Sequence, residues 1–308
     1  MDFDWHDHWA TLPDHVTLGY THGIARSTDG RVFVFNQSQH ALLVLDPDGV
    51  YLTSWGEDFA AGAHGLTLAT DAEGEYLLLT DYERGEVVRA SLDGEIQFII
   101  TAPRVGDLYD DASAFKPTET SVASDGTIYV ADGYGKPWIH IYAPDGSYRD
   151  SFGGPSGRTF SRCAAWEDPG SLAQPHGVTL ADLGHGEEVI VADRRHNRLQ
   201  VFDRAGTFQR FIHGGVRYPC SVNVHQGLMY VPDLYSCVHV LQTDGTPVMR
   251  IGDQPQAWDL PGWPNVDDVH RPAGMFVAPH ACHVDDDGSL LVVEWHERGR
   301  IVRLERVD

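Results

Sequence analysis

Apolar residues along the chain come in short alternating runs, and no stretch carries the 3.6-residue period of a long helix. Val32-Phe-Val-Phe-Asn36, Tyr76-Leu-Leu-Leu-Thr-Asp81 and Ile128-Tyr-Val-Ala-Asp132 read as strands, rich in β-branched and aromatic residues and bounded by glycine turns. One module recurs. A small or polar opener leads into an apolar strand, a turn (often Asp-Gly) and a second strand ending in an acid. Two more strands follow, separated by another glycine turn. The copies open near 22, 64, 118, 176, 220 and 280, a mean step of about 52 residues, in the range of four-stranded propeller blades. This pattern predicts an all-β fold: one six-bladed β-propeller filling residues 1–308 as a single domain. The sixth copy stops at Arg303–Asp308, one strand short. The N-terminal segment is therefore expected to complete the last blade and close the ring, with the strand drawn from Trp9 to Leu18. Closure removes exposed sheet edges.

In such a ring the openers and the residues just after each acid share one face, the top. The turns at Pro47-Asp-Gly, Leu92-Asp-Gly, Pro144-Asp-Gly, Arg204-Ala-Gly and Thr243-Asp-Gly fall at the bottom. The long connections 57–63, 101–116, 153–174 and 253–278 gather at the top, where variable loops mark a substrate or partner face.

Four openers are histidines: His22, His64, His176 and His280, with Thr118 and Cys220 in the other two slots. Each innermost strand would bring its opener to the channel axis at one height. A single such histidine reads as a turn-bonding residue. Four in equivalent slots read as a metal site, because neutral imidazole is the commonest transition-metal ligand and a three-histidine site with open positions is a known catalytic arrangement. The remaining histidines read as surface or structural, with His283 and His296 as candidate supports behind the openers. The recurring acids Asp81, Asp132, Asp193, Asp233 and Glu294, with Asn36 in blade one, read as caps of the loop that follows each strand. After them come Tyr82, Tyr134, Arg194, Tyr235 and His296, which place phenols, a guanidinium and an imidazole around one mouth. A phenol ordinarily titrates near about 10, and a metal or a cation beside it lowers that enough for it to act as a base.

Charge narrows the partners. With 45 Asp and Glu against 22 Lys and Arg, the formal net charge is −23, which repels nucleic acid and anionic lipid. No apolar run approaches the roughly 18 residues a membrane span needs. The acidic start, Met1-Asp-Phe-Asp-Trp-His-Asp-His, does not read as a secretory signal, so a cytoplasmic protein with a small-molecule substrate is expected. The four cysteines, Cys163, Cys220, Cys237 and Cys282, include no Cys-x-x-Cys pair. They read as reduced thiols, with a Cys220–Cys237 disulfide conceivable only in an exported protein.

The modules resemble NHL-type propeller repeats. More narrowly, the motifs Pro117-Thr-Glu-Thr, Tyr129-Val-Ala-Asp-Gly-Tyr134, Pro175-His-Gly-Val, Val191-Ala-Asp-Arg-Arg-His-Asn-Arg198 and Ala278-Pro-His-Ala resemble the peptidyl-α-hydroxyglycine α-amidating lyase propeller. The resemblance implies a catalytic zinc on His64, His176 and His280, a catalytic Tyr134 and a site-lining Arg194. His22 is an extra candidate ligand, and Tyr82, Glu119, Tyr235 and His296 are candidate substrate contacts. Two features depart from that pattern. The family's substrate-recognising arginine in blade one is absent from Val34-Phe-Asn36-Gln-Ser, and an Asp tied to structural calcium is Ala281 here. The expectation is a metal-dependent lyase cleaving C–N or C–O bonds of a hydroxylated small molecule other than peptidyl-hydroxyglycine, with calcium in doubt. Two alternatives stand beside it. One is a lactonase-like hydrolase, although such propellers hold calcium through Glu, Asn and Asp. The other is a non-catalytic NHL binding platform, which would carry no stoichiometric transition metal.

Overall fold

The computed structural model describes residues 1–105, 108–155 and 168–307. They form six antiparallel four-stranded sheets arranged as a six-bladed β-propeller. Blade one comprises Thr21–Arg26, Val32–Asn36, Leu42–Leu45 and Tyr51–Trp55. Blade two comprises Ala63–Asp71, Gly74–Asp81, Glu86–Ser91 and Ile96–Ile100. Blade three is Glu119–Val122, Ile128–Ala131, Trp138–Tyr142 and Tyr148–Gly153, and blade four is Pro175–Asp182, Glu187–Asp193, Arg198–Phe202 and Phe208–Ile212. Blade five is Asn223–His225, Leu228–Asp233, Cys237–Gln242 and Pro247–Ile251. Blade six is Pro279–Val284, Leu290–Glu294 and Ile301–Arg306, completed by Phe3–His6. Among the described residues the helical elements are single 3₁₀ turns, such as Arg194–His196.

The second and third strands of each blade are covered on both faces, which is why they read as near-continuous apolar runs. Their side chains form clusters between neighbouring blades. Phe33, Phe35 and Leu42 of blade one meet Leu66, Leu77 and Leu79 of blade two, and equivalent clusters fill the other junctions. At about 1.5–3 kcal/mol per fully buried large apolar side chain, these junctions hold the ring together. The hairpins at the bottom repeat one device: a glycine at positive φ, such as Gly49 at 86°, beside a register shift, here between Val44 and Leu45.

The closing strand differs from the expectation. Phe3–His6, not a piece of Trp9–Leu18, pairs with Ile301–Arg306, from Phe3 opposite Arg306 to His6 opposite Arg303. Phe3 and Trp5 pack on the blade five–six cluster, with Trp5 5.0 Å from Phe276 between ring centroids. The apolar residues of Trp9–Leu18 serve another purpose. Trp9, Leu12, Val16 and Leu18 seal the junction between blades six and one, and Thr11 makes only an isolated bridge with Val50. Apolar content alone did not separate a ring-closing strand from a junction plug.

The acids at the ends of the second strands cap loops as expected, and they fix the incoming loop as well. Asp132 accepts from the backbone N–H of Lys116, Gly135 and Lys136. Asp193 accepts from Ala173 N–H, Asp233 from Arg217 and Tyr218 N–H, and Glu294 from Val277 and Ala278 N–H. In blade one Asn36 accepts from Gly19 N–H. The acids of blades three to six, and Asn36 in blade one, thereby tie down the backbone two or three residues before the opener, whereas Asp81 of blade two accepts from Glu83 and Arg84 N–H in the loop that follows it. No helix among the described residues is long and apolar enough to cross a membrane. Cys220, Cys237 and Cys282 are buried and free, so Cys220 and Cys237 are not bridged; Cys163 and part of the 153–174 connection lie outside the described residues.

Candidate metal centre

The four histidine openers sit where the inner strand bulges. Pairing with the second strand shifts register between Thr21 and Gly23, Ala63 and Leu66, Pro175 and Gly177, and Pro279 and Ala281. In blade five the same one-residue offset separates the isolated Pro219–Asp233 bridge from the Asn223–Tyr230 pair, on either side of Cys220, while the Glu119–Val122 pairing of blade three shows no shift. A bulge re-aims the extra side chain, and here it turns each imidazole inward. All four rings are buried and close together, with centroids 4.5 Å (His22–His64), 4.6 Å (His22–His280), 4.6 Å (His64–His176), 4.8 Å (His64–His280) and 4.9 Å (His176–His280) apart.

Backbone carbonyls of the next blade fix three of the rings. His64 Nδ1 bonds Thr118 O at 2.7 Å, His176 Nδ1 bonds Cys220 O at 2.9 Å, and His280 Nδ1 bonds His22 O at 2.8 Å. A carbonyl only accepts, so Nδ1 carries the proton in each, and a neutral ring then presents Nε2 as a lone pair. The glycine after the histidine admits that carbonyl. A Cβ at Gly65 would lie 2.4 Å from Thr118 O, and one at Gly177 would lie 2.5 Å from Cys220 O. Burial drives the imidazoles toward the neutral form: His64 is lowered to about 3, and His22, His176 and His280 fall well below the usual histidine value.

The donor set fits a cation. Nε2 of His64 and Nε2 of His176 are 3.1 Å apart, both lone pairs, with no proton to share. Two nitrogens on a tetrahedral zinc with bonds of about 2.05 Å would stand about 3.4 Å apart. His280 Nε2 is buried without a hydrogen-bond partner. Neither nitrogen of His22 forms a well-shaped hydrogen bond, although the Gln37 amide approaches closely enough to offset slightly the burial that lowers its pKa. Donor atoms of His22, His64 and His280 lie within 4.8 Å of one another, as do those of His176, Cys220 and His280.

Tyr134 stands over this cluster, its Oη 3.1 Å from Nε2 of both His64 and His176. Glycines on either side make room: a Cβ at Gly133 would strike Thr118 Oγ1 at 2.5 Å, and one at Gly135 would strike Ala114 O at 2.1 Å. Burial raises the Tyr134 phenol, and the Arg194 guanidinium opposes that. Arg194, at the head of the Arg194–His196 turn, is 3% exposed and lies 5.0 Å over the Tyr218 ring. Tyr82 is perpendicular to Tyr134, with centroids 5.3 Å apart, and its Oη accepts from the Gln37 amide at 2.9 Å. Gln37 thus brings a neutral amide to the blade-one side of the mouth. A cavity of about 340 Å³ is lined by Tyr134, Gln174 and Arg195, and none of the four histidines lines it. A roomier cavity of about 630 Å³ lies at the blade-six rim, around Arg271 and Arg298, and none of the axial histidines lines it.

The remaining candidate contacts are placed less centrally. Tyr235 stacks on Tyr218 at 5.1 Å and on Trp258 at 4.9 Å, one ring removed from Arg194. His296 is buried in the blade-six turn, accepting from Arg298 N–H, and it meets none of the four histidines. His283 faces Asp285 at 3.5 Å lower in the propeller. Glu119 lines a separate axial cavity of about 210 Å³ with Thr67, Ser121, Thr179 and Asn223, and not the one at Tyr134. Burial pushes its carboxyl up to about 8. Ala281, at the position of the calcium-linked acid, packs among Val34, Leu291 and Val293. The sequence pointed to Cys220 as an opener and a conceivable disulfide partner but not as a neighbour of Arg194, and it did not single out Gln37 or Tyr218. Their signal was slot equivalence: Cys220 is an opener, Tyr218 lies two residues before it, and Gln37 follows Asn36, which takes the acid's place in blade one.

The chain is similar to known propeller proteins. The NHL repeat family model matches residues 172–202, the stretch carrying His176 and Arg194. Peptidylglycine alpha-amidating monooxygenase of Rattus norvegicus is 26% identical over 296 residues, covering 92% of this chain and 28% of that protein. The chain carries a match to the NHL repeat and is similar in sequence to the peptidylglycine α-amidating enzymes. Peptidyl-alpha-hydroxyglycine alpha-amidating lyase 1 of Drosophila melanogaster is 30% identical over 184 residues, 57% of this chain and 32% of that one. The chain therefore spans less than a third of the length of these relatives. Among solved structures, a gluconolactonase of Xanthomonas campestris superposes with a TM-score of 0.65 at 15% identity, covering 98% of this chain and 90% of that one, a likeness of fold.

Proposed function

We propose that this propeller is a metal-dependent lyase that cleaves a C–N or C–O bond in a hydroxylated small molecule. The observation that carries the reading is the pair of unprotonated Nε2 atoms 3.1 Å apart on His64 and His176, with the Tyr134 phenol 3.1 Å from both. His64, His176 and His280 would hold the ion, zinc in the first instance, with His22 as a further ligand. The ion would act as a Lewis acid on a substrate oxygen. Tyr134, as a phenolate beside the ion and the Arg194 guanidinium, would take the hydroxyl proton as the carbonyl forms and the adjacent C–N or C–O bond breaks, then return that proton to the leaving nitrogen or oxygen. Arg194 orients a carbonyl or anionic group of the substrate over the cluster. Tyr82 and Tyr235 shape the mouth.

Gln37 and Tyr82 present neutral groups where an arginine would read a terminal carboxylate, which supports a substrate other than peptidyl-hydroxyglycine. Free, buried Cys220, Cys237 and Cys282 are in keeping with a reducing, cytoplasmic setting. The hydrolase reading has less behind it, because the axial donors are imidazoles and not the carboxylates and amides that calcium prefers. The test is Tyr134→Phe. It should lower turnover of a hydroxylated amide or ester panel by roughly 10²–10⁴-fold while metal content stays unchanged. Full turnover in that variant ends the mechanism.

A further inference from the structure

We propose that Cys220 is a ligand of the axial metal, making the centre a mixed imidazole–thiolate site. This rests on the reading that the histidine cluster holds a metal. The ring has two interleaved sets of openers. Blades two, four and six supply His64, His176 and His280, whose Nδ1 atoms bond the opener carbonyls of blades three, five and one. The odd blades thus hold the rings by backbone, and their side chains are left to fill the gaps between them.

Those three side chains differ in how they are used. Thr118 turns its hydroxyl to Ala131 O at 3.3 Å and Pro175 O at 3.4 Å, so it is spent on backbone. His22 and Cys220 are the two that carry metal-binding atoms. Cys220 Sγ lies within 4.8 Å of ligand nitrogens of His176 and His280, and the Nε2 of His280 has no other partner although the residue is only 3% exposed. Bonds of about 2.3 Å to sulfur and about 2.1 Å to nitrogen set the two atoms about 3.6 Å apart on a tetrahedral ion, so the three side chains would close around it by up to about 1 Å.

Arg194 supplies the second half of the argument. Its buried guanidinium donates from Nη2 to Cys220 Sγ at 3.2 Å and from Nε to Pro219 O at 3.5 Å. Among the described residues its recorded hydrogen-bond and ion-pair partners include no carboxylate, whereas the neighbouring Arg198 is paired with Asp193. A buried cation needs an anion beside it. A thiolate on Cys220, bonded to the metal on one side and to Arg194 on the other, meets that need. On binding, the S–H proton leaves to bulk buffer and the sulfur electron pair forms the S–metal bond. A thiolate ligand also shifts selectivity toward softer ions than a three-imidazole site prefers.

The test replaces the native ion with cobalt(II) in the full chain and records the electronic spectrum, with X-ray absorption of the native metal alongside. The expected result is a thiolate-to-cobalt charge-transfer band in the near ultraviolet and a sulfur scatterer in the metal's coordination shell. Cys220→Ser should abolish the band and weaken metal affinity by more than roughly tenfold, and Cys282→Ala should keep it. Stoichiometric cobalt with no such band, or a band that survives in Cys220→Ser, overturns the Cys220 assignment and leaves the histidine site standing. No cobalt bound at all overturns both. Should the serine variant fail to fold, the sulfur shell of the unaltered protein decides.

Discussion

Each axial histidine depends on its neighbours for its direction. Holding one ring nitrogen aims the other at a metal, and for His64, His176 and His280 a carbonyl from the adjoining blade does so. Gly177 is the residue that lets Cys220 O come close enough. Gly177→Ala would set a methyl 2.5 Å from that oxygen, so the carbonyl or the His176 ring must move. Metal affinity should drop by roughly 10–100-fold, read by competition with a chromophoric chelator. Ala281→Gly serves as the control, since position 281 already tolerates a methyl, and an unchanged affinity in Gly177→Ala would contradict this account of the ring's orientation. At this scale the sequence was informative about identity and silent about support. Histidines in equivalent slots were legible, as were Tyr134 and Arg194 beside the acids. The partners of their far sides were not, because backbone carbonyls carry no side-chain signature. Glu119 shows the opposite limit: a motif resemblance suggested a substrate contact, and the strand's pleat puts the carboxyl in a separate cavity further along the channel.

Within an element, the recurring acid and the bulge work together. In blades four and six the acid at the end of the second strand holds the loop before the opener, and the bulge turns the opener histidine inward. The acid of blade four is also the anchor of a buried network: Asp193 accepts from Arg198 Nε at 2.8 Å, from His196 Nδ1 at 2.7 Å and from Gln200 Nε2 at 2.9 Å, with Asp193 and Arg198 both fully buried. Removing the carboxylate leaves the guanidinium buried and unpaired. Asp193→Asn should therefore cost about 3–5 kcal/mol in urea unfolding, and a loss below about 1 kcal/mol would contradict the assignment. The acids were legible as caps from position alone. The bulges were not, since a one-residue register shift depends on pairing across the sheet and not on the local alternation of polar and apolar residues.

Across the whole molecule, ring closure and the central channel carry the remaining expectations. Closure rests on Phe3–His6, so deleting residues 1–6 should expose Ile301–Arg306 as an open edge and remove Phe3 and Trp5 from the blade five–six cluster. A lower unfolding temperature and increased light scattering are expected, and an unchanged melt would show that another segment closes the ring. The sequence revealed that one strand was missing and that the N-terminal segment had to supply it, but the acidic Phe3–His6 carries a weaker apolar signal than Trp9–Leu18 and is the strand that closes the ring. The channel makes a pH prediction. Glu119 ionises near 4.5 in an unfolded chain and is held up to about 8 in the fold. The unfolded state therefore loses its proton first, and stability falls as pH rises from about 4.5 to about 8, then levels off as the folded carboxyl ionises too. Glu119→Gln should flatten that slope, leaving the variant more stable than the parent at pH 8 and no more stable at pH 4. Parallel pH–stability curves for the two proteins would contradict it.

The claim on which the rest depends is that the axial histidines hold a metal. Elemental analysis of the full chain, purified without a histidine tag, tests it most directly, with His176→Ala measured alongside. The account predicts a transition metal, zinc foremost, close to stoichiometric with the chain in the parent protein and largely lost from the variant. A parent protein with no stoichiometric transition metal, or a metal content indifferent to His176, would contradict it.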